Sequence, residues 1–248
     1  MSENPCPRTS PCTSSDPWSA PGSPRSRTAP PGVTVRTRQV ASGPESIESA
    51  YDEALAGPGT LLAAVEAERE GADAVVIDCM GDPALEAARE RLTVPVLGPG
   101  QTGMHMAALL GHRFAVLAVL PRLTSRFEAA AARYGLASAL ASVRAVDVPV
   151  LAIESAGDEL VARMTEQAVA AVREDGAHVL LLGCTGMIGL AERLRPALDA
   201  AGLDGVPVVD PVPATVQVAA GLVRAGLRAS GLSYPPPPRK RYLGVPVA

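Results

Sequence analysis

The sequence almost lacks lysine: of 22 basic residues all but Lys240 are arginine, and Lys240 lies in a proline-rich tail just after Pro238. A pyridoxal enzyme needs a lysine held in a pocket for its Schiff base, and a Walker phosphate loop needs Gly-Lys-Ser/Thr. Neither chemistry has a lysine to use. A basic stripe is missing too. The net charge is −4 and the arginines are scattered among acids, which leaves no track for a phosphate backbone and predicts no nucleic-acid partner. No apolar run suits a bilayer, because the longest uncharged stretch, 92–111, is broken by Pro95, Pro99, several glycines and Gln101; no membrane partner is expected. The chain does not open with a basic start and an apolar stretch, so a secretory signal is not expected and a cytoplasmic location is. Cysteine is scarce. Cys6, Cys12, Cys79 and Cys184 show no CxxC spacing and no clustered histidines accompany them, so free thiols are expected rather than a disulfide framework or a metal site.

What is present is apolar mass. With 47% hydrophobic residues in 248, the chain can bury the core of one large domain or two small ones. Residues 1–32 hold eight prolines and seven serines with hardly an aliphatic side chain, so this head is expected to be irregular. Beyond it, short β-branched runs alternate with helical stretches. Strands are predicted at 33–40, 74–77, 94–97, 113–120, 143–148, 179–182 and 206–209, with helices at 60–70, 83–92 and 213–229 among those between. Asp82 followed by Pro83 reads as a helix N-cap, and Gly71, Gly135, Gly176 and Gly202 read as C-terminal stops. Such alternation implies parallel sheet covered by helices.

An internal repeat carries the functional argument. Gly71-Ala72-Asp73-Ala74-Val75-Val76-Ile77-Asp78-Cys79-Met80-Gly81 matches Gly176-Ala177-His178-Val179-Leu180-Leu181-Leu182-Gly183-Cys184-Thr185-Gly186, and each copy runs on through a helix to a Val-Pro-Val strand, at 94–96 and 206–208. The repeat predicts an α/β fold of two pseudo-symmetric lobes with a cleft between them: 33–98 plus 207–248 as lobe one and 99–206 as lobe two. Open α/β sheets bind ligands beyond the carboxyl ends of their strands, where both cysteines fall. Two thiols facing across a cleft suit stereoinversion, since one thiolate can remove a proton from a carbon beside a carbonyl while the other thiol returns one from the opposite face. No cofactor is needed for this. The intermediate's oxyanion calls for donors, and the backbone around Met80, Gly81, Thr185 and Gly186 can supply them. The plainer alternative is a pair of small buried core residues.

These motifs, with Cys79-Met80-Gly81-Asp82-Pro83, Gly183-Cys184-Thr185-Gly186-Met187, Val94-Pro95-Val96-Leu97-Gly98 and the tail from Tyr234 to Tyr242, resemble hydantoin and allantoin racemases of the aspartate/glutamate racemase superfamily. The resemblance runs from about Val33 to Gly244. It implies a cofactor-independent racemase of 5-substituted hydantoins or related cyclic ureides, with Cys79 and Cys184 as its catalytic pair and a homo-oligomeric assembly. Amino-acid racemases of the superfamily usually follow their cysteines with Asn-Thr, whereas here Met80-Gly81 and Thr185-Gly186 stand, which favours an amide ring held by backbone groups. Arylmalonate decarboxylases keep only the second cysteine. An amino-acid racemase, a maleate-type cis-trans isomerase and an inactive two-lobed binding protein are the alternatives. Family members open with an apolar strand ending in Asn-Pro-Asn-Thr, but here Asn4-Pro5 leads into Cys6-Pro7. Residues 1–29 are accordingly expected to be a frameshifted or mis-started segment, leaving lobe one without its first strand and helix.

Smaller features have local readings. Asp82 is expected to cap the helix after Cys79. Thr185 is read as a substrate contact or a local cap, and Arg122 as a solvated helix start. His178 is expected at the surface, while His105 and His112 show no metal-ligand spacing. The Arg239-Lys240-Arg241 tail is expected to pack on the body or on a neighbouring subunit.

Overall fold

A computed structural model describes residues 29–242; the expectations for the head before residue 29, Cys6 and Cys12 among them, lie outside the described residues. Ser49 opens α1 (Ala50–Arg69) by accepting from the Asp52 N–H at 3.1 Å, while the Asp52 carboxylate accepts from Ser49 Oγ at 2.7 Å. This reciprocal cap starts the helix ten residues before the predicted Thr60. Gly57-Pro58-Gly59 does not break it. Gly59 instead permits a close approach, since a Cβ there would lie 2.2 Å from the Ser42 carbonyl oxygen. The predicted strand at 33–40 is absent: this stretch is irregular, and Arg38 pairs with Glu66 on α1 and with Glu70 just after it.

The smaller sheet has two parallel strands, β1 (Val75–Val76) and β2 (Val96–Leu97), joined through α2 (Leu85–Arg91). After β2 the chain enters α3 (Pro99–Leu110), then β3 (Phe114–Ala118), α4 (Thr124–Arg133), β4 (Leu140–Ala145), α5 (Gly157–Arg173), β5 (Val179–Leu182), α6 (Leu190–Ala200), β6 (Val208–Val209) and α7 (Pro211–Arg224). The second sheet is parallel, in the order β4-β3-β5-β6. Its central strands β3 and β5 are wholly buried, which explains their unbroken apolar runs where a one-faced strand would alternate. Phe114, Leu117, Leu180, Leu181 and Leu182 pack with Met104, Met164, Leu194 and Leu198 from the helices.

The repeat in the sequence is a repeat in the hydrogen-bond register. Val75 pairs with Val96 in one sheet as Leu180 pairs with Val208 in the other. The Val75 N–H donates to the Pro95 carbonyl at 2.9 Å, and Leu180 does the same to Pro207 at 2.9 Å. The fold is α/β with parallel sheets flanked by helices. One boundary moves: β6 is hydrogen-bonded to β5, so 208–209 join the larger sheet and not lobe one. Helix α7 then packs on α3 and reaches β1 and β2 of the smaller sheet. Gly71, Gly135, Gly176 and Gly202 all take the left-handed conformation after their helices, as the stop signals predict. No helix among the described residues is long and apolar enough to cross a membrane.

Candidate active site

The two cysteine loops have the same local geometry. Each leaves the carboxyl end of a parallel strand, and in each the glycine two residues on turns its N–H toward the thiol: Gly81 to Cys79 Sγ and Gly186 to Cys184 Sγ, both at 3.4 Å. The cysteine carbonyls accept from the residue three further on, Asp82 at 3.0 Å and Met187 at 3.1 Å. A main-chain donor aimed at sulfur favours the thiolate. Neither Cys79 nor Cys184 forms a disulfide; Cys184 is buried and Cys79 partly exposed.

Burial, above all, pushes the Cys79 thiol up to about 12; the Gly81 N–H works against this, while the charges of Asp82, Cys184 and Asp78 reinforce burial. The loops touch directly, since Thr185 Oγ1 donates to the Asp78 carbonyl at 3.3 Å. Thr185, read from the sequence as a substrate contact or a local cap, therefore bridges the two loops. Met80 turns its side chain into the larger lobe's core, so only its main chain faces the site. The N–H groups of Gly81 and Gly186 are turned to the thiols. Among the described residues the N–H groups of Met80 and Thr185 make no hydrogen bond.

Asp82 does not cap the helix that follows it. Asp82 and Ala84 both have left-handed backbones, φ 52° and 58°, so Pro83 sits between two non-helical residues and α2 begins only at Leu85. The turn sends the Asp82 carboxylate to the start of α3, where Oδ1 accepts from the Gly100 N–H at 2.9 Å and Oδ2 from Gln101 at 2.6 Å. Oδ2 also accepts from the Tyr134 hydroxyl, at the end of α4, at 2.6 Å. One buried carboxylate thus ties the Cys79 loop to two elements of the larger lobe. Burial raises the Asp82 pKa and the three donors oppose it; burial likewise raises that of Tyr134, helped by the Asp82 charge. In the other loop Asp210 Oδ2 accepts from the Gly189 N–H at 2.7 Å while Asp210 caps α7.

A second crossing lies at the α1 start. Glu53 pairs with Arg126 of α4, and Glu48 Oε1 accepts from the Val150 N–H at 2.8 Å. Exposed Arg122 sits in a turn before α4 and adds to the low pKa of Asp52, which is set first by its Ser49 hydrogen bond. No sequence signal singles out Glu53 or Arg126, because acids in a first helical turn and arginines on a helix are ordinary. His178 is exposed, its ring 6.3 Å from that of His112. Among the described residues no group of three or more His, Cys, Asp or Glu could hold a metal ion. Where the tail begins, Tyr234 packs on the body under the Arg89 guanidinium, 5.5 Å from its ring.

The profile of the Asp/Glu/Hydantoin racemase family matches residues 24–219. A hydantoin racemase of Pseudomonas sp. (strain NS671) is 39% identical over 204 residues, covering 82% of this chain and 80% of that protein. One from Rhizobium meliloti is 40% identical over 187 residues, 75% of each chain. Among solved structures, allantoin racemase from Klebsiella pneumoniae superposes with a TM-score of 0.82 at 35% identity, covering 89% of this chain and 88% of that one.

Proposed function

From the chain's membership of the Asp/Glu/Hydantoin racemase family, shown by that match, we propose that it racemises 5-substituted hydantoins or closely related cyclic ureides with Cys79 and Cys184 as paired acid and base. It is an isomerase of the racemase type. The observation that carries the assignment of the pair is the repeated geometry: two thiols at matched strand ends, each with a glycine N–H on its sulfur. Burial and the neighbouring negative charges favour the proton on Cys79, and we assign Cys79 as the thiol and Cys184 as the base for the direction written here. The Cys184 thiolate takes the hydrogen of the ring carbon. The carbon–hydrogen electron pair moves into the ring and onto the adjacent carbonyl oxygen, and we assign that oxyanion to the Met80 and Thr185 N–H groups. The Cys79 thiol then protonates the opposite face, which leaves Cys79 as thiolate and Cys184 as thiol, ready for the reverse enantiomer. The chain acts on its substrate as a homo-oligomer in the cytoplasm.

The test is circular dichroism of single enantiomers of several 5-substituted hydantoins, allantoin, glutamate and aspartate, with proton NMR following cis-trans isomerisation of the achiral maleate. Loss of optical activity in the ureides alone is expected. Turnover of the carboxylates with none of the ureides would overturn the substrate class.

A further inference from the structure

The ion pair between Glu53 and Arg126 joins α1 of the smaller lobe to α4 of the larger, and it does so next to Cys79. A Cβ built on Gly81 would stand 3.0 Å from Glu53 Oε2 and 3.7 Å from Cys79 Sγ. Carboxylate and thiol therefore share the small space beside Gly81. Both side chains of the pair keep part of their surface open, 24% for Glu53 and 30% for Arg126, so a ligand can reach them. The proton transfers use neither. We propose that Glu53 and Arg126 are the specificity-determining pair that reads one edge of the ring, an inference that rests on the cyclic-ureide reading above.

The argument is one of complementary donors. A carboxylate only accepts hydrogen bonds and a guanidinium only donates them. Side by side they present acceptor then donor. In a hydantoin the ring nitrogen beside the reacting carbon carries N–H, and the next ring atom is a carbonyl carbon, so that edge presents donor then acceptor. Glu53 receives the N–H and Arg126 meets the carbonyl, while the second carbonyl, which becomes the oxyanion, is left to the main chain. A dicarboxylate offers only acceptors and meets the Glu53 charge, so the same pair turns it away. Until a ring edge arrives, each group satisfies the other, and no buried charge is left alone.

The experiment compares kcat/KM for three substrates: an unmethylated hydantoin, one methylated on the nitrogen beside the reacting carbon, and one methylated on the remote nitrogen. The proteins are wild type, Glu53→Gln and Glu53→Ala, with far-UV circular dichroism to check folding. Wild type is expected to disfavour the near-methylated ring by about a hundredfold or more, as sites built to hydrogen-bond a group reject the analogue lacking it. Glu53→Ala should reduce that discrimination about tenfold, raising KM for the unmethylated ring about tenfold with little change in kcat. Glu53→Gln, which keeps an acceptor, should retain an intermediate discrimination, and it carries the test if the alanine variant does not fold. Discrimination against the remote methyl should not change. Retention of the wild-type discrimination by Glu53→Ala, or an equal loss on all three substrates, would overturn the inference while leaving racemisation intact. A wild type that racemises no hydantoin would overturn the functional reading, and this inference with it.

Discussion

Replacing Asp82 by asparagine changes one oxygen to an amide and probes both the join between the lobes and the state of Cys79. The carboxylate accepts three hydrogen bonds, from Gly100, Gln101 and Tyr134. Asparagine can keep its single oxygen at the Oδ2 position, where it serves Gln101 and Tyr134, but its NH2 then faces the Gly100 N–H, donor against donor. The loss is one charge-assisted hydrogen bond with a buried N–H left unpaired, about 2–4 kcal/mol. Relief of the buried charge, the largest influence on the Asp82 pKa, offsets part of this. A net loss of about 2 kcal/mol lowers Tm by roughly 4–8 °C in a chain of this size. The second readout has the opposite sense. The Asp82 charge helps raise the Cys79 pKa, so removing it should move the pH midpoint for alkylation of Cys79, followed by mass spectrometry of its peptide, to lower pH. Unchanged melting with an unchanged or higher alkylation midpoint would refute the reasoning.

Three further predictions follow from the same contacts. Because the Cys79 thiol is raised in the fold from 9.0 to about 12, its contribution to stability is fully present below pH 9 and is lost as pH rises through 12, with a slope approaching about 1.4 kcal/mol per pH unit; Cys79→Ser should lack that segment of the denaturation-against-pH curve. Gly100→Ala would set a Cβ 2.3 Å from the Met80 carbonyl oxygen and 2.8 Å from Asp82 Oδ2, so it should cost about 3 kcal/mol in urea denaturation and depress turnover by displacing the Cys79 loop. Ala84→Gly relieves a left-handed alanine, φ 58°, and should raise Tm slightly, by up to about 1 kcal/mol of stability.

The paired cysteines were legible in the sequence because the repeat is local: strand, cysteine and glycine fall within a dozen residues and fold alike twice. The register match of Val75 with Val96 and of Leu180 with Val208 follows from the same spacing. Asp82 was misread for the opposite reason. Its position before Pro83 suits an N-cap, but its partners lie 18, 19 and 52 residues away, and only the left-handed turn at Asp82 and Ala84 reveals them. The α1 start was hidden behind Gly57-Pro58-Gly59, where glycine serves a close approach to Ser42 and not a turn. At 33–40 the β-branched residues suit a strand, but the stretch finds no partner in either sheet and is tied to α1 by Arg38 instead. Glu53 and Arg126 meet only because the lobes are brought together, and nothing local in either helix announces it.

The central claim is a division of labour between Cys79 and Cys184, and the most direct test is hydrogen–deuterium exchange at the ring carbon of a 5-substituted hydantoin. Each enantiomer is incubated in deuterated buffer with wild type, Cys79→Ser and Cys184→Ser, following deuterium by NMR and optical activity by circular dichroism. Deuterium incorporation with full loss of optical activity is predicted for wild type from either enantiomer, and racemisation by neither variant. Racemisation near the wild-type rate by either single variant would contradict the account.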